Sequence, residues 1–316
     1  MAISGGLGSQ AGISVVESTY STFQTITRFI EFNSESLNYV KNIVQGQGLY
    51  AGGSVARASR RTVTTTQASG NLNFNIPNRG FGLPLAHAMG SYPTVSAGTY
   101  TFTLGSMDAS SFTTQIGLSQ TASGTVTPKN LTGCKITSWT IAVPNGGIAT
   151  MDMAIDASGF ETSTALATAS YPSAYSSFHF AQGAIKLDGS TIANVRDFSL
   201  TVDNGLKTDR FNLGLSGKKS AQVHNTFRKI AGAMTAEFVD TVLLAKFTGD
   251  VAASLELTLT SGTGEILDIT LPVVYFDADT PKVSGPNTID MAMTFEGLNS
   301  ASAPLTIVYT TADSSL

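Results

Sequence analysis

One short strand pattern occurs twice in the chain, and this repetition restricts the folds that the chain can adopt. The segment 148–159, IATMDMAIDASG, returns in altered form at 288–297 as TIDMAMTFEG. Five residue pairs correspond at a fixed offset of 138: Met151/Ile289, Asp152/Asp290, Met153/Met291, Ala154/Ala292 and Ile155/Met293. A unit repeated within a chain usually builds a surface or an assembly. The repeat therefore predicts a small β unit, used twice in a protein that assembles.

Alternation of apolar and polar residues predicts strands through most of the chain. Leu72, Phe74 and Ile76 alternate with asparagines, which is the period of a half-buried strand. Similar patterns or short apolar runs cover 100–104, 112–116, 136–143, 195–202, 255–259, 266–271 and 305–309. Tight turns are predicted where a residue that tolerates positive φ stands before glycine: Asn145-Gly146, Asp188-Gly189 and Asn204-Gly205. We therefore expect a mainly β protein.

Two short helices are predicted at corresponding places in the two halves. One covers 82–89 and ends before Gly90. The other covers 241–247, with Asp240 as its N-terminal cap and Gly249 just past its end. Each half should thus contain one small helix beside its strands.

A second likeness competes with the first. Each predicted helix follows a strand that begins after a glycine, Gly70 or Gly232. The difference in residue number between corresponding features of the two halves falls from about 160 to 138 along the chain. Segments 136–146 and 195–205 also resemble each other, but at a different spacing. Both likenesses cannot reflect one simple duplication. We assign the duplication to the first because several landmarks follow it in order.

This duplication predicts four segments. Residues 1–33, rich in Gly, Ser and Thr, form an N-terminal arm or peripheral strand, and we expect the arm to order only against a neighbour. Residues 34–160 form the first β domain, 161–184 a linker, and 185–316 the second β domain.

The surface is short of charge, and the charges are unevenly distributed. Charged residues make up 13 % of the chain, roughly half the usual share of about 25 %. This composition favours a surface covered by neighbouring copies, although an ordinary β domain with polar strands would also explain it. A net charge of −4 argues against a generic nucleic-acid coat. Ten of the eighteen basic residues nevertheless stand in two segments, 41–61 and 207–229: Lys41, Arg57, Arg60, Arg61, Lys207, Arg210, Lys218, Lys219, Arg228 and Lys229.

No catalytic, metal or cofactor site is predicted. The segment 217–220, GKKS, lacks both the earlier glycine and the hydroxyl residue of a phosphate loop. His87, His179 and His224 stand far apart, with no further ligand at zinc spacing. A single cysteine, Cys134, excludes an internal disulfide. With no visible signal peptide or membrane-length apolar run, we expect a soluble protein made in a reducing cytoplasm.

The order of these elements resembles the major tail tube proteins of long-tailed, siphovirus-type bacteriophages. Each motif is a strand or a turn, so the likeness lies in their order over roughly 30–310. The segments that carry it are 185–205, the strand after Gly232, the helix after Asp240, 269–274, 33–37, 83–90 and 133–139.

The resemblance implies β-sandwich or barrel-like units in six-fold rings that stack into a hollow tube. The tube would conduct DNA through an acidic lumen without specific binding, in a virion tail assembled in the host cytoplasm. If each half is one unit, three chains complete a ring, which we favour; if the whole chain is one enlarged unit, six are needed. The other implied partners are the tape measure, tail terminator and distal tail proteins, and no membrane is involved.

Contacts between stacked rings are expected at the two basic segments. The candidate residues are Arg57, Arg60, Arg61, Lys207, Arg210, Lys218, Lys219, Arg228 and Lys229. Two alternatives come from other classes, a different filament or surface-layer subunit and a carbohydrate-binding β-sandwich module or hydrolase. The only tryptophan, Trp139, lies in a strand pattern that indicates the core, which disfavours an aromatic glycan platform.

Overall fold

Antiparallel strand pairing organises both halves of the chain. The computed structural model describes residues 8–96, 98–108, 110–120, 125–283, 285–300 and 302–316. The prediction of a mainly β fold with two tandem units, each accompanied by one short helix, is confirmed. The buried apolar side chains of the two halves form one continuous hydrophobic core.

The elements of the first half run from residue 10 to residue 161, with a 3-10 turn at Ala58–Arg60. In chain order they are β1 (Gln10–Val16), β2 (Ile26–Ile30), β3 (Phe32–Glu35), β4 (Asn38–Gln45), β5 (Arg61–Asn75), α1 (Gly82–Met89), β6 (Thr99–Thr103), β7 (Phe112–Ser119), β8 (Val126–Val143), β9 (Thr150–Ala157) and β10 (Gly159–Glu161).

The elements of the second half follow another 3-10 turn at Phe180–Gln182. They are β11 (Gly183–Leu187), β12 (Ser190–Ile192), β13 (Val195–Asp203), β14 (Leu206–Lys207), β15 (Val223–His224), β16 (Lys229–Glu237), α2 (Val242–Thr248), β17 (Ala253–Thr260), β18 (Ile266–Ala278), β19 (Asp290–Gly297) and β20 (Thr306–Thr310).

Each half builds two sheets in the same strand order. A side sheet runs β2-β1-β7-β8-β10 in the first half and β12-β11-β17-β18-β20 in the second. The long strands β8 and β18 continue into a further sheet, which runs β8-β9-β5-β4 and β18-β19-β16-β13 respectively. Strand β3 also pairs with β5, so β3 and β4 together hold the place of β13. Strand β6 is an addition that pairs with β20 of the other half.

A shared irregularity shows that β7 with β8 corresponds to β17 with β18. The register between β7 and β8 shifts by one residue between the pairs Phe112/Cys134 and Thr114/Leu131. The same shift separates Ala253/Val274 from Leu255/Leu271. A β-bulge adds one residue to one strand and bends it. In both long strands the bulge lies where the strand passes from the side sheet to the further sheet.

Two equivalent glycines allow a close approach of strands in the second sheet of each half. A Cβ atom on Gly70 would lie 2.4 Å from the carbonyl oxygen of Ser36, and one on Gly232 would lie 2.4 Å from that of Ser199. Gly70 pairs with Ile155, and Gly232 pairs with Phe295. The glycines that precede the two predicted strands are therefore required for the same reason, because a Cβ atom at either position would collide with a neighbouring carbonyl oxygen.

The repeated Met-Asp-Met-Ala strands are structural equivalents, but their sequence alignment is two residues out of register. Ile155 and Phe295, which face the two glycines, lie 140 positions apart, whereas the sequence likeness has an offset of 138. Because side chains alternate along a strand, a shift of two residues keeps the same side chains on the same face. The sequence alignment therefore matched the correct strands and the correct faces, but it paired each residue with one that is two positions away from its structural equivalent.

Both helices lie where they were predicted. All eight residues of α1 are buried, and Gly90 ends the helix at a φ of 66°. The N-cap residue of α2 is Thr241 rather than the predicted Asp240, whose carboxylate accepts the N–H of Val242 at 2.9 Å. The left-handed residue after α2 is Asp250, at a φ of 48°, whereas Gly249 stays in the helical region. Gly249 stands just past the end of the helix, as predicted.

Part of the predicted N-terminal arm lies within a sheet of its own chain. Strand β1 pairs with β2 on one side and β7 on the other. The buried carboxylate of Glu17 holds its end by accepting hydrogen bonds at 2.9–3.0 Å from four partners: Ser21 N–H, Gly133 N–H and the hydroxyls of Ser111 and Thr113. Such complete hydrogen bonding offsets the cost of burying a carboxylate. Residues 1–7 lie outside the described residues.

Candidate assembly interface

The two halves join edge to edge through backbone pairing. Residues 138–143 of β8 pair antiparallel with residues 198–203 of β13, in the register Trp139/Val202 and Ile141/Leu200. We call this contact the internal seam. It joins the second sheets of the two halves into one main sheet with the order β4-β5-β9-β8-β13-β16-β19-β18.

The internal seam also explains the second sequence likeness. Segments 136–146 and 195–205 contain the two strands that pair across the seam. They resemble each other because both are central strands with one buried face, and each ends in a tight turn. They are neighbours in the sheet rather than equivalent positions of a duplication.

Side chains from both halves fasten the seam to α1. The indole N–H of Trp139 donates to the carbonyl of Ala88 at 3.1 Å. The buried amide of Asn204 donates to the same carbonyl at 3.1 Å and to that of Ile136 at 2.9 Å. On the opposite face, the hydroxyls of Thr140 and Thr201 are 2.9 Å apart. Because the helix, both strands and the turn share these bonds, the halves are held in one fixed arrangement.

One face of the main sheet is polar and acidic; we call it the open face. It carries the polar members of alternating strands, whose other members, such as Met153 and Leu200, are buried. The acids on this face include Asp152, Asp197, Asp203, Glu237, Asp277, Asp290 and Glu296. The neighbouring bases are Lys229, which pairs with Asp203 across the strands, and Arg196, which forms ion pairs with Glu237 and Asp290 at 3.4 and 3.0 Å.

Small side chains fill the space between these acids. They are Ser, Thr, Asn or Ala residues, among them Asn71, Thr140, Ala154, Ser199 and Thr294. A sheet face of this composition offers few apolar contacts and few donors to an anionic polymer. The period-2 pattern of the sequence identifies these residues as the exposed members of their strands, but it did not distinguish this face from any other exposed one.

Both outer edges of the main sheet lack a partner strand in the described residues. At one edge, β4 pairs only with β5. At the other edge, the end of β18, Tyr275–Ala278, pairs with β19 on one side. An exposed edge with unpaired N–H and C=O groups is a template for another strand.

Comparison with known protein families supplies the identity of the chain. A profile described as phage tail tube protein matches residues 8–306. The chain belongs to the phage tail tube protein family. A comparison with curated proteins finds no match. Neither α-helix in the described ranges of this tail tube protein is long and apolar enough to cross a membrane.

The second basic segment of the tail tube protein folds onto its own first half. Lys219 is buried, and its ammonium contacts the Asp156 carboxylate of β9. Gln222 donates to the other oxygen of Asp156 at 2.8 Å. Burial raises the pKa of Asp156, while the hydrogen bonds from Lys219 and Gln222 act against this shift. Lys219 was predicted to lie between rings, but its burial and pairing leave it no surface to offer.

The other bases of this segment divide between internal contacts and solvent. Arg210 donates to the carbonyl of Ala221 at 2.5 Å, and Arg228 to that of Gly105 at 2.6 Å. Lys207 lies 2.8 Å from Asp209 in an exposed pair. Lys218 and Lys229 are exposed.

The first basic segment forms a projecting β-hairpin. Strands β4 and β5 pair from Asn38/Ser69 to Gln45/Arg61, and the residues around the tip, 51–64, are all exposed. Arg57 stacks on the ring of Tyr50 with 3.9 Å between the guanidinium carbon and the ring centroid. Among the described residues, no carboxylate forms an ion pair with Arg57, Arg60 or Arg61.

The hairpin also exposes large apolar side chains. Leu49 is 100 % exposed and Val55 is 74 % exposed. The two basic segments therefore differ in their charged groups, since Lys219, Arg210 and Arg228 of the second segment bond within the chain. Both segments expose large apolar side chains, because Leu213 and Phe227 of the second are also fully exposed.

Proposed function

We propose that the chain is the subunit of a hollow siphovirus-type tail tube in which three copies close each ring. The family supports a structural protein of the virion tail. The observation that carries the ring proposal is the internal seam, which joins two equivalent β units in one chain by a heterologous contact. A heterologous contact repeated by a fixed rotation closes into a ring or continues as a helix. Six such units, supplied by three chains, would give the pseudo-six-fold ring.

The open face of the main sheet supports a channel that carries DNA without binding it. In the proposed ring this face lines the lumen, so the acids of each chain surround the axis. Phosphates would be repelled by these carboxylates, and the small neutral side chains between them leave few contacts for bases. The chain would thus act as a conduit for DNA ejection rather than as an enzyme.

Stacking of rings is the role that we propose for the β4–β5 hairpin. Its three unpaired arginines and its exposed Leu49 and Val55 suit a contact with the adjacent ring. Lys207, Arg210, Lys218, Arg228 and Lys229 stay secondary candidates, and Lys219 is left out because it is buried. The tape measure, tail terminator and distal tail proteins are the other proposed partners, with assembly in the host cytoplasm.

Negative-stain microscopy of the purified protein, combined with native mass spectrometry, tests this proposal. We expect rings or tubes with a central hole, six density lobes around the axis, and a ring mass of three chains. A ring mass of six chains would exclude the three-chain arrangement. Solid filaments, or monomers only, both alone and with the initiating tail proteins, would overturn the tube proposal.

A further inference from the structure

We propose that the β4–β5 hairpin of one chain docks in a groove at the opposite end of a second copy of the chain, in the adjacent ring. The groove lies between β12 and the start of α2, and we call it the α2 groove. The inference rests on the proposed function, because it names the surface that receives the stacking hairpin.

The α2 groove has an apolar floor and an acidic rim. It encloses about 410 Å³. Its lining includes four aliphatic residues: Leu187, Ile192, Val242 and Leu243. The exposed carboxylates of Asp188 and Asp240 stand at its rim. Asp188 pairs with Lys246 at 2.6 Å. Asp240, by contrast, forms no ion pair with a lysine or arginine in the described part of the chain.

The first half contains the equivalent groove, and residues of the same chain fill it. Strand β2 and the start of α1 form its walls, since Ile30 pairs with Ala11 of β1 as Ile192 pairs with β11. Gly82 and Val242 are the first residues of the two helices. A Cβ atom on Gly82 would lie 3.0 Å from a methyl carbon of Leu316. A groove of this form therefore accepts a leucine side chain.

The charges on the walls of the two grooves are reversed. In the first half, the Gly80 N–H donates to the Asp313 carboxylate at 2.6 Å. Arg28 of the same groove donates to two backbone carbonyls of the filling segment, at 2.7 and 3.2 Å. Ser190 and Asp240 hold the places of Arg28 and Gly80 in the second half. The first groove thus receives an acidic segment, whereas the α2 groove carries a carboxylate and suits a basic one.

The β4–β5 hairpin has the chemistry that the α2 groove lacks. Its Leu49 is fully exposed, and it carries the three unpaired arginines. The corresponding connection of the second half, 204–228, is tied to the first half by Lys219 and by the bond from the Thr66 N–H to the Gly217 carbonyl at 3.0 Å. Each chain therefore offers one projecting hairpin and one groove that its described residues leave open. This ratio allows one heterologous contact to be repeated along the tube.

The hairpin and the α2 groove lie at opposite ends of the main sheet. The hairpin extends beyond the end at which β16 begins, and Asp240 closely follows the end of β16 at Glu237. A strand of this length spans roughly 30 Å. In the proposed ring the open face points to the axis and the seam lies at the side, so the strand ends face the adjacent rings. The hairpin of one ring therefore faces the α2 groove of the next.

Exchange of charges tests the pairing of the hairpin with Asp240. Asp240→Lys should stop tube growth at single rings, because it would repel the arginines of the hairpin. Asp240→Asn keeps an oxygen for the Val242 N–H and should reduce growth less. Combining Asp240→Lys with Arg57→Glu, Arg60→Glu and Arg61→Glu should restore tubes. Normal growth of Asp240→Lys, or no recovery in a combined variant that still forms rings, would overturn the contact.

Cysteine pairs test the position of the contact. Leu49→Cys with Val242→Cys is the predicted pair. Leu213→Cys with Val242→Cys changes only the occupant, because Leu213 is a fully exposed leucine of the other basic segment. Leu49→Cys with Val251→Cys changes only the receiving site, because Val242 and Val251 are 49 % and 48 % exposed but stand at opposite ends of α2, roughly 13 Å apart. The native Cys134 is buried in every variant.

After oxidation of assembled protein with diamide, non-reducing gels separate the outcomes. We expect the predicted pair to give a ladder that continues beyond the number of chains in one ring, and both control pairs to cross-link far less. Tubes seen by microscopy without this ladder would overturn the groove contact and leave the tube function intact. A ladder of equal strength from either control pair would also overturn it. Unaltered protein that forms neither rings nor tubes with the initiating tail proteins would overturn the proposed function itself.

Discussion

At the scale of single residues, buried polar groups connect elements of the first half. His87 of α1 is fully buried, stacks on Phe112 with ring centroids 4.1 Å apart, and lies 2.8 Å from both the Ser14 carbonyl and the Tyr92 hydroxyl. Burial lowers the pKa of His87 to about 4. The folded protein therefore holds the imidazole neutral, whereas the unfolded chain takes up a proton near pH 6.5.

We predict that His87 makes the protein sensitive to acid. The pKa of His87 is lower in the folded state than in the unfolded state. Its full contribution to the free energy of unfolding is therefore present above pH 6.5 and is lost as the pH falls toward 4. The loss reaches about 3 kcal/mol. His87→Gln should be less stable at pH 7 but lose less stability on acidification, as urea unfolding at both pH values would show. The exposed His179→Gln serves as control, and equal pH slopes in both variants would contradict the prediction.

Lys219 and its neighbour Lys218 provide a matched pair for the buried ion pair. Lys219→Met should cost about 3–5 kcal/mol of unfolding free energy, because it leaves the Asp156 carboxylate buried without its cation. Lys218→Met, at an exposed position, should change stability by less than about 0.5 kcal/mol. Adding Asp156→Leu to Lys219→Met should recover part of the loss. Equal effects of the two lysine variants in chemical denaturation would refute this account.

At the scale of elements, the connections at corresponding positions of the two halves fold differently. The connection between β13 and β16 folds back on the first half through Lys219 and Gln222, whereas the β4–β5 hairpin projects from the chain. The two connections, 204–228 and 46–60, are both basic. Sequence composition alone therefore did not separate an internal contact from a candidate external one.

Reversal of the hairpin charge should block the growth of tubes. Arg57→Glu, Arg60→Glu and Arg61→Glu in one variant remove the cations that we propose to contact the next ring, and the hairpin tip contributes no buried side chain to the core. We expect folded chains and single rings but no long tubes, measured by electron microscopy and sedimentation. Reversing Lys207, Lys218 and Lys229 tests the second segment separately. Tubes of normal length from the arginine variant would remove the hairpin from the stacking contact.

At the scale of the whole molecule, the main sheet turns two β units into one continuous surface. Its open face collects acids that are far apart in the sequence, from Asp152 to Glu296. They meet because the internal seam aligns the strands of both halves with the same face outward. No local pattern could place them together, since the seam brings together residues about 60 positions apart.

Charge reversal on the open face should convert a passive channel into one that retains DNA. Asp152→Lys, Asp203→Lys and Glu296→Lys would place cations on the proposed lumen wall, where they would attract phosphates. We expect assembled tubes of this variant to retain DNA at low salt and release it at high salt, whereas unaltered tubes retain none. The control reverses three exposed acids away from this face, Glu31, Asp108 and Asp250. Equal DNA retention by both variants would place the open face outside the lumen.

The sequence by itself determined the strands, their buried faces, both helices and the existence of the repeat. These features depend on local chemistry: the period of apolar residues, the residues that tolerate turns, and the glycines at close strand approaches. Even the core position of Trp139 follows from the alternation of its own strand.

Only the tertiary structure decided the partners of these elements. A shift of two residues keeps every side chain on its face, so the sequence placed the repeated strands correctly but in the wrong register, and the β-bulges and the contacts of Gly70 and Gly232 set the true one. Likewise, only the tertiary structure showed that segments 136–146 and 195–205 pair at the internal seam, and that Lys219 is buried against Asp156. Both contacts join residues that are distant in sequence. Periodicity is a local property, whereas register and burial of charge are set by long-range contacts.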